Sequence, residues 1–181
     1  MNYWHASDDD KFQKFVDICH EYGVEPILYF GYEYATVMPD WFENGQKYLQ
    51  KNKNGRLTDG WLMKPPQPWH RAYTMCLNSP YADVFYNGIV ECMDRYGIKG
   101  IYLDGTLNPW ECANEAHGCG YIDRDGNRQH TYPIFAVRRF VKKLHAEIQK
   151  RDGVLYVHQS GTCTVPTMAF TDVVLNGESI I

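Results

Sequence analysis

Three carboxylates stand where an apolar run gives way to a turn. Asp104 closes the run Lys99-Gly-Ile-Tyr-Leu-Asp104 just before Gly105, Glu33 follows Pro26-Ile-Leu-Tyr-Phe-Gly-Tyr32, and Glu178 follows Asp172-Val-Val-Leu-Asn-Gly177. Short apolar runs of this kind read as buried parallel strands, which places each carboxylate at a strand's carboxyl end. Hydrolysis of a glycosidic bond needs two carboxyl groups flanking that bond. One protonates the leaving oxygen, and the other acts as nucleophile or activates water. Asp104 and Glu178 are the expected catalytic pair, because one strand lies between theirs and the two can converge across a barrel mouth; Glu33 is the reserve. A carboxylic acid kept protonated near neutral pH needs partial burial, which tyrosine and tryptophan neighbours can supply. The same residues have plainer readings, Asp104 as a turn cap and Glu178 as an exposed residue in a frayed tail.

Around these carboxylates, Tyr32, Glu33, Arg71, Tyr102, Trp110, His158 and Gln159 are assigned to substrate binding. Aromatic residues make up 15% of the chain and many fall in segments that read as loops. Sugar rings stack their apolar faces on such side chains, although large cores consume aromatics too. His158 and Gln159, at the end of Val154-Leu-Tyr-Val-His158, suit the recognition of sugar hydroxyls.

The elements that must hold these groups alternate. Asp8 to Asp10 cap a helix carrying Phe12, Phe15, Val16, Cys19 and Tyr22 on one face, and Gly23 stops it. Ser79-Pro80 opens a second helix, with Tyr81, Val84, Phe85, Ile89, Cys92, Met93 and Tyr96 as its apolar face and Gly97 at its end. Thr131-Tyr-Pro133 opens a third, through Phe135, Phe140, Val141, Leu144 and Ile148. Strands are expected at 24–31, 99–104, 154–161 and 172–178. The resulting order of strand and helix predicts an α/β fold of parallel strands, with a partial (β/α)8 barrel preferred over a doubly wound sheet. Long loops are expected at the carboxyl ends, residues 32–73 and 107–131. The first, with Trp41, Trp61, Trp69, His70 and Arg71, reads either as a lid over the barrel or as an insertion packing on a neighbour.

The chain has 181 residues, 44% of them hydrophobic, enough for a single core and short for a complete barrel. The unit is read as one incomplete barrel domain over 1–181, its last strand lacking a following helix. A net charge of -4 without long like-charge runs gives no reason to expect nucleic acid or an anionic membrane as partner. No stretch has the composition of a membrane span, and no signal segment opens the sequence.

The six cysteines form no CxxC pair. Cys112, His117 and Cys119 could serve as three zinc ligands, with His130 or Asp123 as the fourth, but C-x4-H-x-C matches no common zinc-binding pattern. A disulfide or hydrogen-bonded loop core between Cys112 and Cys119 is the preferred expectation, and no metal or cofactor is assigned. Asp123-Arg-Asp-Gly126 reads as a turn rather than a calcium loop. Nucleotide-binding, serine-hydrolase and zinc-protease motifs are missing.

Four segments together carry a resemblance: Pro26-Ile-Leu-Tyr-Phe-Gly-Tyr-Glu33, Cys76-Leu-Asn-Ser-Pro-Tyr81, Tyr96-Gly-Ile-Lys-Gly-Ile-Tyr-Leu-Asp-Gly-Thr106 and Val174-Leu-Asn-Gly-Glu178. They resemble the catalytic barrel of bacterial glycoside hydrolases, above all barrel families related to glycoside hydrolase family 123. The resemblance implies a (β/α)8 domain carrying strands two or three to six, an oligosaccharide or glycoconjugate as substrate, and the rest of the barrel supplied by a longer parent chain. In families similar to retaining α-galactosidases, the nucleophile sits on the fourth strand and the acid/base on the sixth, which maps to Asp104 and Glu178. Family 123 uses an Asp-Glu pair where this chain has Asp104-Gly105. A noncatalytic carbohydrate-binding barrel and an inactive fragment are the alternative expectations.

Overall fold

The computed structural model describes residues 4–60, 71–159 and 164–175. Within them the elements run α1 (Asp9–Glu21), β1 (Ile27–Phe30), β2 (Glu33–Ala35), a π-helical turn (Trp41–Gly45), α2 (Gln46–Tyr48), β3 (Ala72–Thr74), α3 (Tyr81–Tyr96) and β4 (Gly100–Asp104). A 3-10 turn (Glu115–His117), β5 (Tyr121–Ile122), β6 (Arg128–Gln129), α4 (Ile134–Gln149), β7 (Leu155–His158), α5 (Val165–Met168) and β8 (Val173–Leu175) follow.

Local sequence explains the main boundaries. Asp8 caps α1 by accepting the amide of Lys11, and Asp9 and Asp10 place negative charge at the positive end of the helix dipole. Gly97 ends α3 at φ +69°, a left-handed conformation that glycine adopts without a Cβ penalty. At the start of α3 the Ser79 hydroxyl accepts the Tyr81 amide, so the serine caps the helix across the proline.

β1, β4, β7 and β8 form one parallel sheet in that spatial order. The order never reverses, as befits one arc of a (β/α)8 barrel; a doubly wound sheet has a switch point where the order turns back. α3 links β1 to β4, and α4 links β4 to β7. Their apolar faces close over Phe30, Ile101, Leu103, Leu155 and Val157, with Phe85, Ile89, Phe140, Val141 and Leu144 fully buried against them. Each such side chain contributes about 1.5–3 kcal/mol by leaving water. Among the described residues, the step from β7 to β8 contains the single turn of α5.

α1 departs from the sequence expectation. Of its apolar face only Val16 is buried, Phe12 is partly covered, and Phe15 and Tyr22 are exposed. A barrel helix packs across the two strands it joins, and among the described residues no strand precedes α1, so one flank alone is covered. The opposite sheet face is similarly open: Ile27, Tyr29, Val173 and Leu175 are exposed where a closed barrel keeps its interior.

The loop after β1 is a folded insertion. β2 and β3 form an antiparallel hairpin with Glu33 opposite Thr74, and Tyr34 is buried among Trp41, Tyr48 and Tyr81. Much of the aromatic content is therefore core. Trp41 stacks on Tyr34 and Tyr73 and offers no free platform. Trp61, Trp69 and His70, assigned to the same loop, lie outside the described residues.

On the outer helices, Glu147 accepts from Lys150 and Arg151, and Arg151 also reaches Asp94 of α3 at 2.6 Å. The hydrogen bonds from Lys150 and Arg151 hold the Glu147 carboxyl down at about 2. A depressed carboxylate contributes stability that is complete above its unfolded value near 4.5 and lost as pH falls toward about 2. Acid titration of thermal stability is expected to show that loss between pH 4.5 and 2. Glu147→Gln should remove about 1–2 kcal/mol at pH 7 and flatten that part of the profile. None of the helices among the described residues is long and apolar enough to cross a membrane.

Candidate active site

Parallel register sets which side chains share a face. Tyr29, Tyr102, Tyr156 and Val173 lie at one level across the sheet, and Asp104, His158 and Leu175 at the next. Alternation sends Ile101 and Leu103 outward to the helices, so Tyr102 and Asp104 face the inner side of the arc. Asp104 is the last residue of its strand. Gly105 follows at φ +60°, and the ring of Tyr32 occupies the place a Cβ there would take. The glycine thus permits both the sharp turn and the close approach of Tyr32.

Both oxygens of Asp104 are engaged. The Tyr29 hydroxyl donates to Oδ2 at 2.5 Å, and His158 Nδ1 lies 3.2 Å from Oδ1. Loss of solvent around its oxygen, together with the carboxylate it donates to, pushes the Tyr29 hydroxyl well above the usual phenol range; Glu33 adds to the same field. Tyr29 therefore stays protonated and remains a donor to Asp104 at any working pH. Tyr102 stacks between Tyr29 and Tyr156, with ring centroids 5.5 and 5.4 Å away, and lies beside His158. The result is a partly buried carboxylate fixed by one phenol and one imidazole on a floor of three tyrosines.

Beside it a cleft of about 510 Å³ is lined by Gln50, Thr58, Asn108, Pro109, Trp110, Glu111, Tyr132 and Thr164. A smaller recess reaches from Gln50, Asn108 and Trp110 to Tyr32, Gly105 and Thr106, which joins the cleft to the Asp104 turn. Two amide groups stand out there. Gln50 and Asn108 are buried, yet Gln50 Oε1 and Asn108 Nδ2 have no hydrogen-bond partner among the described residues. Leaving such groups dry costs about 1–3 kcal/mol each, a cost that a polar ligand or water in the recess removes.

The residues assigned from sequence are placed unevenly. Asp104, Tyr102 and His158 come together. Tyr32 and Trp110 face each other at 6.0 Å beside them. Gln159 is buried and donates to Asn108 Oδ1 at 2.8 Å, so it orients the amide that lines the cleft and does not reach the cleft itself. Glu33 packs against Gly60 at the base of the hairpin. Arg71 sits exposed at the end of the hairpin opposite Thr36, where its backbone amide and carbonyl are engaged by that residue. Glu178 lies outside the described residues. Tyr29, Gln50 and Asn108 were not assigned from sequence. Tyr29 was findable, since it stands two residues before the end of its strand run, as Tyr102 does before Asp104.

Of the two forms expected for Cys112 and Cys119, the structure has the hydrogen-bonded loop core. Cys112 and Cys119 are free thiols, not a disulfide, and Cys76 joins them. The Cys76, Cys112 and Cys119 sulfurs and a His117 ring nitrogen all lie within 4.8 Å of one another. Neither residue considered as a fourth zinc ligand is there: His130 pairs with Glu111 at 3.2 Å, and Asp123 is spent on the amides of Asp125 and Asn127 and on Gln129. Those bonds make 123–126 the turn of the β5–β6 hairpin, as expected. Cys92 is buried and donates to the Trp4 carbonyl, whereas Cys19, expected to be buried, is only half-buried on the uncovered α1.

No family model and no curated protein matches the chain. Solved structures do, at low identity. A cycloisomaltooligosaccharide glucanotransferase of Paenibacillus, complexed with cycloisomaltoheptaose, aligns over 91% of this chain and 23% of its own, at 11% identity and TM-score 0.61. An α-galactosidase of Thermus thermophilus in complex with stachyose aligns over 90% and 30%, at 12% identity and TM-score 0.57. A trehalose-6-phosphate hydrolase of Bacillus licheniformis aligns over 96% and 38%, at 16% identity and TM-score 0.59. At these identities the likeness is one of fold, that of (β/α)8 barrel enzymes. The chain spans well under half the length of each of these three structures.

Proposed function

We propose that this chain is the catalytic part of a retaining glycoside hydrolase acting on α-linked oligosaccharides, with Asp104 as nucleophile. The observation that carries the reading is the setting of Asp104. It is a half-buried carboxylate at the carboxyl end of a barrel strand, oriented by Tyr29 and His158, and the turn that follows it, Gly105 and Thr106, lines a recess shared with Asn108 and Trp110 of the neighbouring cleft. In this reading the Asp104 oxygen attacks the anomeric carbon as the glycosidic C–O bond breaks. An acid on the opposite side gives its proton to the leaving oxygen, then takes one from the water that releases the sugar.

Glu178 is the proposed acid/base, two strands on from Asp104, with Glu33 as the reserve carboxylate. The proposed substrate class draws on the fold neighbours, among them an α-galactosidase bound to stachyose and a transferase bound to a cyclic glucan. None of the three is described as a family 123 enzyme, so the proposal rests on barrel glycosidases in general. The exposed inner face of the arc is proposed to be covered by further barrel strands of the same protein.

The cleft volume suits one or two sugar units, and the Trp110 ring supplies a stacking face. Trp110→Ala is expected to raise KM about 10-fold while lowering kcat less, because stacking acts on substrate and transition state alike. The function is tested by assaying the full-length protein on p-nitrophenyl α-galactoside, α-glucoside and α-N-acetylgalactosaminide and on α-linked oligosaccharides. Release of sugar with retained anomeric configuration is expected. Sugar binding without turnover would replace the proposal with a carbohydrate-binding barrel.

A further inference from the structure

We propose that Cys76, Cys112, Cys119 and His117 form a closed, structural zinc site that staples together the two long loops framing the cleft. This inference stands apart from the glycosidase reading and uses none of the residues proposed for catalysis.

The donor set comes first. Three thiols and one imidazole are a zinc combination, and Zn²⁺ holds such ligands in a tetrahedron. With Zn–S near 2.3 Å and Zn–N near 2.0 Å, that geometry separates two sulfurs by about 3.8 Å and a sulfur from a nitrogen by about 3.5 Å. The Cys76 and Cys119 sulfurs are 3.8 Å apart, and Cys112 Sγ is 3.3 Å from His117 Nε2. A disulfide would instead bring two sulfurs to about 2.05 Å and leave the third thiol odd.

The surroundings orient each donor toward a common centre. His117 Nδ1 donates to the Lys47 carbonyl at 2.8 Å, which fixes the tautomer that leaves the Nε2 lone pair facing the sulfurs. The Asn114 amide donates to Cys112 Sγ, and Asn78 Nδ2 donates to Cys119 Sγ. Such N–H groups stabilise thiolate charge. All three cysteines are buried, at 0 to 2% exposure, so a fourth donor from the protein closes the site to solvent. Four protein ligands leave no open position for substrate, which makes the role structural.

The location gives the ion a job. Cys76 ends the insertion between β1 and α3, whereas Cys112, His117 and Cys119 belong to the loop between β4 and α4. The two loops already meet through Asn114 Nδ2, which donates to the Gln46 and Leu49 carbonyls, and through the Ala113 amide on Lys51. Gln50, between Leu49 and Lys51, and Trp110, two residues before Cys112, both line the cleft. A metal here would fix the width of the cleft.

The test is metal analysis of the full-length protein purified without chelator, with cobalt substitution as a second readout. About one zinc per chain is expected, released by a thiol-blocking reagent. The cobalt form should show the intense visible bands and sulfur-to-metal charge transfer of a tetrahedral thiolate site. His117→Cys should keep the metal on four thiolates while His117→Ala loses it, and zinc removal should lower the melting temperature by several degrees. A metal-free protein whose four residues stay unperturbed by added zinc or cobalt would overturn the proposal. So would a disulfide among Cys76, Cys112 and Cys119 found by peptide mapping.

Discussion

Replacing Asp104 by Asn is expected to lower kcat on α-glycosides on the order of 10³-fold or more while leaving the fold intact. The amide is nearly isosteric and can still accept the Tyr29 hydroxyl, so the local hydrogen bonding survives. What disappears is the negative charge that attacks and then stabilises the anomeric carbon. The carboxylate's contact with His158 weakens as well, but a partly exposed contact of this kind contributes only about 1 kcal/mol. Steady-state kinetics together with a denaturant curve on the same preparation separates the two effects. A small kinetic loss, or a kinetic loss matched by unfolding, would remove Asp104 from the reaction.

Phe85→Ala makes the opposite prediction. Phe85 is fully buried under the sheet, stacked on Phe140 with centroids 5.3 Å apart and packed against Tyr81 and Phe30. It joins α3 to α4 and both to β1, so its truncation leaves a cavity in the layer that supports the Asp104 strand. A loss of about 3–5 kcal/mol is expected in urea unfolding. Near-normal kcat should persist at temperatures well below the new transition, since Asp104, Tyr29 and His158 are left in place. If stability barely moved, the packing account of the arc would be wrong.

Much of the arc could be read from residues because its signals are local. Asp8, Gly97 and the Lys99 to Asp104 run each declare a boundary within a few positions, and the parallel order follows from their alternation. The placement of Asp104 at a strand exit came from the same signals. The insertion after β1 was harder, for its hairpin pairs three-residue strands whose partners, Glu33 and Thr74, are far apart in the chain, and no periodicity develops in so few residues. Its aromatic residues read as a surface because the hairpin that buries them was invisible. Cys76 was missed as a companion of Cys112, His117 and Cys119 for a related reason. Ligand spacing reveals a site only when the ligands share a loop, and here the fold brings the fourth from another.

The central claim, that Asp104 is the nucleophile, is tested most directly by trapping. Full-length protein that turns over an α-glycoside is incubated with an α-configured cyclitol epoxide or aziridine, and the labelled peptide is mapped by mass spectrometry. The account predicts one adduct per chain, on Asp104, formed in step with loss of activity and prevented by substrate. An adduct on Glu33, Glu178 or another carboxylate, with Asp104 unmodified, would contradict it.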